Sequence, residues 1–162
     1  MPVATYSTLV HAPRQRVFGF HEEPSALARL TPPWEQVDIV TPPSSLAVGT
    51  RVVLRTRIGP FWQRWVAEHV AYERDRRFAD RQIEGPFASW EHEHLFEDAP
   101  EQDGRPTTRL TDRITYQLPL GPLGALFGGA FVRHKLDRMF AFRHEATRRA
   151  CESESNPPPG AR

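Results

Sequence analysis

Between Ser89 and Glu97 the chain alternates, with Trp90, His92, His94 and Phe96 on one parity and Ser89, Glu91, Glu93 and Glu97 on the other. Residues two apart on a strand share a face, so three carboxylates mark the solvent side and the histidines point inward with the two aromatics. The same period of two runs through Leu110, Asp112, Ile114 and Tyr116, set against Arg109, Thr111, Arg113 and Thr115. Phe78, Asp80 and Gln82 likewise share a face, and Phe78 marks it as the inner one. Six runs carry this character: VDIV, TRVVLRTRI, FWQRWVAEHVAY, RRFADRQIE, FASWEHEHLFE and TTRLTDRITYQL. They are separated by PPSSLAVG, GP, ERD, GP and DAPEQDGRP, each rich in turn residues, and so predict an antiparallel meander. Within RWVAEHVAY one face holds Trp65, Ala67 and His69 and the other Val66, Glu68, Val70 and Tyr72. The Trp65 face is expected to be inward.

Around the meander the period changes. Val3 to Val10 predicts a first strand, and HAPRQRVFGF a helix with Pro13 near its first turn and Val17, Phe18 and Phe20 on its apolar side. EEPSALARL predicts a second short helix that Pro32 and Pro33 end. From Phe131 onward, Val132, Leu136, Met139, Ala146 and Ala150 fall on one side of a helical wheel and Arg133, Asp137, Glu145 and Arg148 on the other. This predicts an amphipathic helix of about five turns, long enough to cross a sheet. One helix cannot fill the concavity of a strongly curved sheet, so space for a cavity is expected between them. The closing SESNPPPGAR has no apolar content and is expected to be disordered.

Composition narrows the classes. The 162 residues suit one domain, and a net charge of +1 gives no drive toward nucleic acid. The single cysteine, Cys151, excludes an internal disulfide and a thiolate metal cluster within one chain. The uncharged stretch LPLGPLGALFGGAFV, Leu118 to Val132, is broken by prolines and glycines and falls short of the ~20 apolar residues of a membrane span. It reads as a loop and helix entry, so no stable membrane insertion is expected. MPVATYSTLVHAPR lacks the pattern of a secretory signal, which makes a cytoplasmic location the expectation.

Candidate chemistry sits on the inward faces. The hairpin between the last two strands places Asp112 opposite or diagonal to His92 or His94. Arg143 falls in the predicted apolar stripe of the long helix, and a buried guanidinium calls for a carboxylate, Asp112 or Asp80. One reading of His92, His94, Asp112, Gln82 and Arg143 is a satisfied polar network that fixes the helix on the sheet. Another is a polar cluster that orients a ligand's carbonyl or hydroxyl groups. A catalytic reading makes His92 or His94 a general base with Asp112 orienting it. His-x-His with a neighbouring aspartate also has the donor count of an open zinc site. Against that stands the cationic Arg143, so no metal or other cofactor is expected. Trp65 and Trp90 are the best candidates for cavity walls. Thr31 to Trp34 and the glycine-rich PLGPLGALFGGA are either a gate at the mouth or rigid connections.

These elements in order, with HAPRQRVFGFHEEPSALARLTPPW, RWVAEH, FADRQIEGPFASWEHEHLFE, TRLTDRITYQLPLGPLG and MFAFRHEATRR, resemble the START-related SRPBCC helix-grip superfamily. Within it the chain resembles polyketide-cyclase-like and cell-division-inhibitor-like bacterial proteins, over roughly Val3 to Ala150. The resemblance implies a deep hydrophobic cavity for a small or medium apolar molecule. It implies no catalytic residue, since the superfamily shares none. The expected fold is α+β helix-grip: a curved antiparallel sheet of about seven strands wrapped around a long C-terminal helix, with two short helices after the first strand. Residues 1–152 form a single ligand-binding domain and 153–162 a tail. The expected function is carriage or sensing of a hydrophobic ligand touching Trp65, Gln82, Trp90, His92, His94, Phe96, Tyr116, Met139 and Arg143. The alternatives are a cyclase or dehydratase using His92 or His94, and a ligand-free interaction module docking through Leu118 to Val132. The sequence identifies no protein partner.

Overall fold

The computed structural model describes residues 1–152, with the backbone alone for 121–127. Its elements in chain order are β1 (Val3–Val10), α1 (Arg14–Glu22), α2 (Ala26–Arg29), β2 (Val37–Thr41), β3 (Arg51–Ile58), β4 (Phe61–Glu73), β5 (Arg77–Glu84), β6 (Ser89–Gln102), β7 (Arg105–Gln117) and α3 (Gly121–Glu152). The strands form one antiparallel sheet ordered β1-β7-β6-β5-β4-β3-β2. Successive strands from β2 onward are hairpin neighbours, and β1 pairs back onto β7 after α1 and α2 intervene. Irregularities at Ile39/Thr41, Val66/Ala67 and His69/Ala71 bend the sheet, and α3 lies in the concavity. This is the α+β helix-grip architecture. Among the described residues no helix is long and apolar enough to cross a membrane.

Four local expectations change. The DAPEQDGRP segment is not a loop: β6 and β7 run on to a two-residue turn at Asp103-Gly104, both with positive φ (52° and 70°). Asp-Gly is a favoured pair for such a turn, and the polar residues flanking it belong to a projecting ribbon that needs no buried face. The stretch from Gly121 to Val132 is helical, so α3 has 32 residues and starts ten positions before Phe131. Pro122 sits within its first turn, where the missing N–H has no intrahelical partner to lose. On β4, Trp65 and His69 face inward as expected, but the bulge between His69 and Ala71 flips the parity so that Tyr72 also packs inward, against Phe18. The buried stripe of α3 is Leu136, Phe140, His144, Thr147, Ala150 and Cys151. It is rotated by about 70° from the predicted stripe, toward Phe140 and Cys151, and His144 and Thr147 lie within it. The tail 153–162 lies outside the described residues.

The interior has two apolar clusters. One gathers Val10, Phe18, Phe20, Phe78, Phe96 and Leu110, and α1 fills its end of the concavity. The other gathers Ala4, Trp90, Ile114, Tyr116, Leu136 and Phe140. On each inward-facing element a polar residue falls between members of the two. His92 and His94 lie between Trp90 and Phe96, Asp112 between Leu110 and Ile114, His69 between Trp65 and Tyr72, and His144 between Phe140 and Ala150. The result is a polar belt across an otherwise apolar core.

Candidate functional site

Asp112 is the centre of this belt. Strand pairing sets it directly across from His94 and diagonal to His92. Its side chain is 4 % exposed, and it accepts hydrogen bonds from His92 Nε2 at 2.8 Å and His144 Nε2 at 2.7 Å. An ionised carboxylate only accepts, so both imidazoles present Nε2–H to it and keep Nδ1 as a lone pair. His94 Nδ1 also comes within 2.8 Å of Asp112 Oδ1, but off the line a hydrogen bond requires. Among the described residues, His94 Nδ1 and His69 Nδ1 are buried without an aligned hydrogen bond, although the Asp112 carboxylate stands beside the first ring and the Ser45 backbone beside the second. Aligned hydrogen bonds thus join Asp112 to His92 and His144, while His69 and His94 lie beside them without one.

Burial dominates the electrostatics. It pushes the imidazoles of His94 and His21 down to about 4, each pushed further by a neighbouring histidine, and lowers those of His92 and His69. Burial alone would raise the Asp112 carboxyl, but His94, His144 and His92 outweigh it and hold the group well below the usual carboxylate range. Asp80 has no such set of donors and burial raises it. His92 Nδ1 lies 3.8 Å from its Oδ2. The belt is thus one firmly ionised carboxylate beside His92 and His94, whose charging burial opposes, with a second, less supported carboxylate at its edge.

The other predicted residues divide. Trp65 and Trp90 meet edge to face at 5.4 Å and Phe87 joins both, while Tyr116 lies 6.3 Å from Trp90. Phe96 is in the other cluster, beyond the belt, against Phe18, His21 and Phe78. Gln82 faces inward, but its amide is engaged with the β5–β6 turn, donating to the Phe87 carbonyl at 2.8 Å and accepting the Phe87 N–H at 3.3 Å. Met139 is half-buried, flanking the buried stripe rather than lying in it. Arg143 makes no ion pair with Asp112 or Asp80 among the described residues. Its Nε donates to the Leu30 carbonyl that ends α2, and its guanidinium lies over the Phe140 ring, 5.4 Å from the centroid. Charge pairing predicts a carboxylate partner; the helix places the side chain beside α2 instead, and burial depresses its ionisation.

Two residues of the site escape a hydrophobicity search. His144 follows Phe140 by four positions and Leu136 by eight, and His21 follows Val17 by four and donates to its carbonyl at 2.8 Å. Helical spacing from a buried residue was the available signal. At the expected mouth, Trp34 packs edge to face on Phe142 at 5.4 Å with the Arg138 guanidinium over its ring. The two described grooves, of about 460 and 480 Å3, flank Trp34 and not the aromatics of the inner face. In this conformation Trp90, Tyr116 and Phe96 are covered by their own neighbours.

Comparison with known proteins places this arrangement. The structure is similar to TTHA0849 from Thermus thermophilus, with a TM-score of 0.70 at 18% identity over 96% of this chain and 100% of that one. It is similar to the Zhui aromatase/cyclase from Streptomyces sp. R1128, with a TM-score of 0.69 at 16% identity over 99% of each chain. At such identities the likeness is one of fold. It is also similar, at 28% identity and a TM-score of 0.65, to part of a nucleoside-diphosphate sugar epimerase from Corynebacterium glutamicum, covering 90% of this chain and 28% of that one. No curated protein sequence matches the chain. A sequence model described as polyketide cyclase/dehydrase and lipid transport matches residues 10–143, and the chain belongs to that family.

Proposed function

We propose that the chain binds a small or medium apolar molecule between the sheet and α3, with the polar belt receiving the ligand's carbonyl or hydroxyl group. The observation that carries this reading is a belt of buried imidazoles between two apolar clusters, two of which, His69 and His94, make no aligned hydrogen bond through Nδ1. Buried polar groups in a purely structural network find partners, so unmet capacity facing an apolar interior suits a ligand that completes it. Trp65, Trp90 and Tyr116 form the wall on one side of the belt and Phe96 on the other. These rings cover one another in the free protein, so entry of a ligand separates them, and binding selects the opened arrangement.

The test is titration of the full chain with a naphthyl ketone, followed by tryptophan fluorescence. Saturable binding with a change in the Trp65 and Trp90 emission is expected, weakened at least tenfold by His94→Phe while a naphthalene lacking the carbonyl binds both proteins alike. Equal affinity of wild type and variant for the ketone refutes the assigned polar contact.

Cyclisation or dehydration is the second reading, favoured by the Asp112–His92 hydrogen bond, which fixes one imidazole tautomer as a positioned base. His94 suits that role poorly, because a base held near 4 is weakly basic at neutral pH. In an enzyme His92→Ala abolishes conversion; in a carrier it shifts affinity only.

A further inference from the structure

We propose that Asp80, His92 and His94 form a binding site for a divalent first-row transition ion, with Asp112 as the carboxylate that orients the histidines from behind. One donor atom from each of the three lies within 4.8 Å of the other two. His92 is already set as a ligand: its Nε2–H is held by Asp112, which leaves the Nδ1 lone pair on the side of Asp80, 3.8 Å from Oδ2. That gap is too long for a hydrogen bond and close to what two donors each about 2.1 Å from an ion span at a bent angle. Metal-bound histidines commonly give their other N–H to a carboxylate in this way. His94 Nδ1 lies 2.8 Å from Asp112 Oδ1, so the neutral ring turns its N–H toward that carboxylate and keeps the Nε2 lone pair, and Asp80 accepts no hydrogen bond among the described residues. Three groups with lone pairs to share therefore converge in one buried place.

Charge favours the same occupant. Asp80 and Asp112 set two carboxylates against the single guanidinium of Arg143, which is drawn to the Leu30 carbonyl and the Phe140 ring. The surrounding histidines are neutral and offer lone pairs without charge. Two imidazoles and a carboxylate suit zinc, cobalt or iron in the divalent state and leave a coordination position open. Closing donors that lie within 4.8 Å of one another onto one ion asks for movement of about 1 Å. The site shares His94 with the apolar-ligand reading, but uptake of the ion alone tests it, so the two can fail separately.

The experiment is equilibrium dialysis of the chelator-treated full chain against Co2+ and Zn2+, with metal analysis and visible absorption. One ion per chain is expected, with the intensified d–d absorption of an enclosed nitrogen and oxygen site and without the near-ultraviolet thiolate band that Cys151 ligation brings. Asp80→Asn and His94→Gln each weaken binding at least tenfold, and Asp112→Asn about 10- to 100-fold through the orientation of His92. His134→Ala, an exposed histidine on α3, leaves it unchanged. Circular dichroism confirms that each variant is folded. If a variant unfolds, stoichiometry and spectrum of the wild type decide alone. Sub-stoichiometric binding, the weak spectrum of a hydrated surface ion, or full affinity in Asp80→Asn overturns the proposal.

Discussion

Asp112→Asn is the perturbation that reports most directly on the belt. The wild-type carboxylate accepts hydrogen bonds from His92 and His144 at 2.8 and 2.7 Å with a side chain only 4 % exposed. Each charge-assisted bond contributes about 1.5–3 kcal/mol, so the pair contributes about 3–6 kcal/mol. Asparagine is nearly isosteric and opens no cavity. Its oxygen still accepts from one histidine, and its NH2 faces the other, which must move its proton to the opposite ring nitrogen. Roughly half of the stabilisation is therefore lost, about 1.5–3 kcal/mol. For a chain of this size that lowers Tm by about 3–12 °C. Urea unfolding at pH 7 followed by tryptophan emission gives the free energy, and nitrogen NMR of the imidazoles gives the tautomers. Wild type is expected to show Nε2–H at both His92 and His144, and the variant at one. An Asp112→Asn protein within about 0.5 kcal/mol of wild type, with both tautomers unchanged, refutes the account of Asp112 as the centre of the belt.

Acid should destabilise the protein well above the carboxylate range. His21 and His94 stay neutral in the folded state down to about 4 but take up protons near 6.5 when unfolded, so the unfolded chain binds more protons between those values and stability falls as pH drops through them. Two such groups give a slope of up to about 3 kcal/mol per pH unit, which Asp80, raised when folded, partly offsets near the acid end. Asp112, depressed when folded, adds a further loss below about 3.8. Urea midpoints that stay flat from pH 7 to pH 4.5 contradict this. Phe96→Ala removes a 2 % exposed ring packed on Phe18, His21 and Phe78 and is expected to destabilise by about 3–5 kcal/mol, read by the same unfolding curves; a loss under 1 kcal/mol contradicts the packing. Gly85→Ala builds a Cβ 2.4 Å from Gln82 Oε1. The displaced amide gives up its two bonds to Phe87, a loss of about 1–2 kcal/mol that Gln82→Ala should match and that should not add when the two changes are combined.

Period-two patterning made the strands and their inward faces legible, because carboxylates at Glu91, Glu93 and Glu97 can lie only on the solvent side. The same logic reached His92, His94 and Asp112. It fell short on α3, where His144 and Thr147 share the inward stripe with Leu136, Phe140, Ala150 and Cys151, because a search for apolar periodicity passes over polar residues. It failed again at Tyr72, since a bulge leaves no mark in residue type yet reverses every side chain after it. Arg143 shows the limit of pairing arguments: a buried cation needs compensation, but a helix-ending carbonyl and an aromatic face supplied it. Gln82 shares that lesson, being engaged by a turn that its sequence position does not announce. Asp103-Gly104 was legible in principle and hidden by the polar residues around it.

Native mass spectrometry of the purified full chain, followed by solvent extraction, tests the central claim most directly. The account predicts one apolar molecule carrying a carbonyl or hydroxyl group per chain, or its stoichiometric uptake from a panel of such compounds, lost in His94→Phe. A chain that carries none and takes up none, with His69 and His94 found hydrogen-bonded in solution, contradicts it.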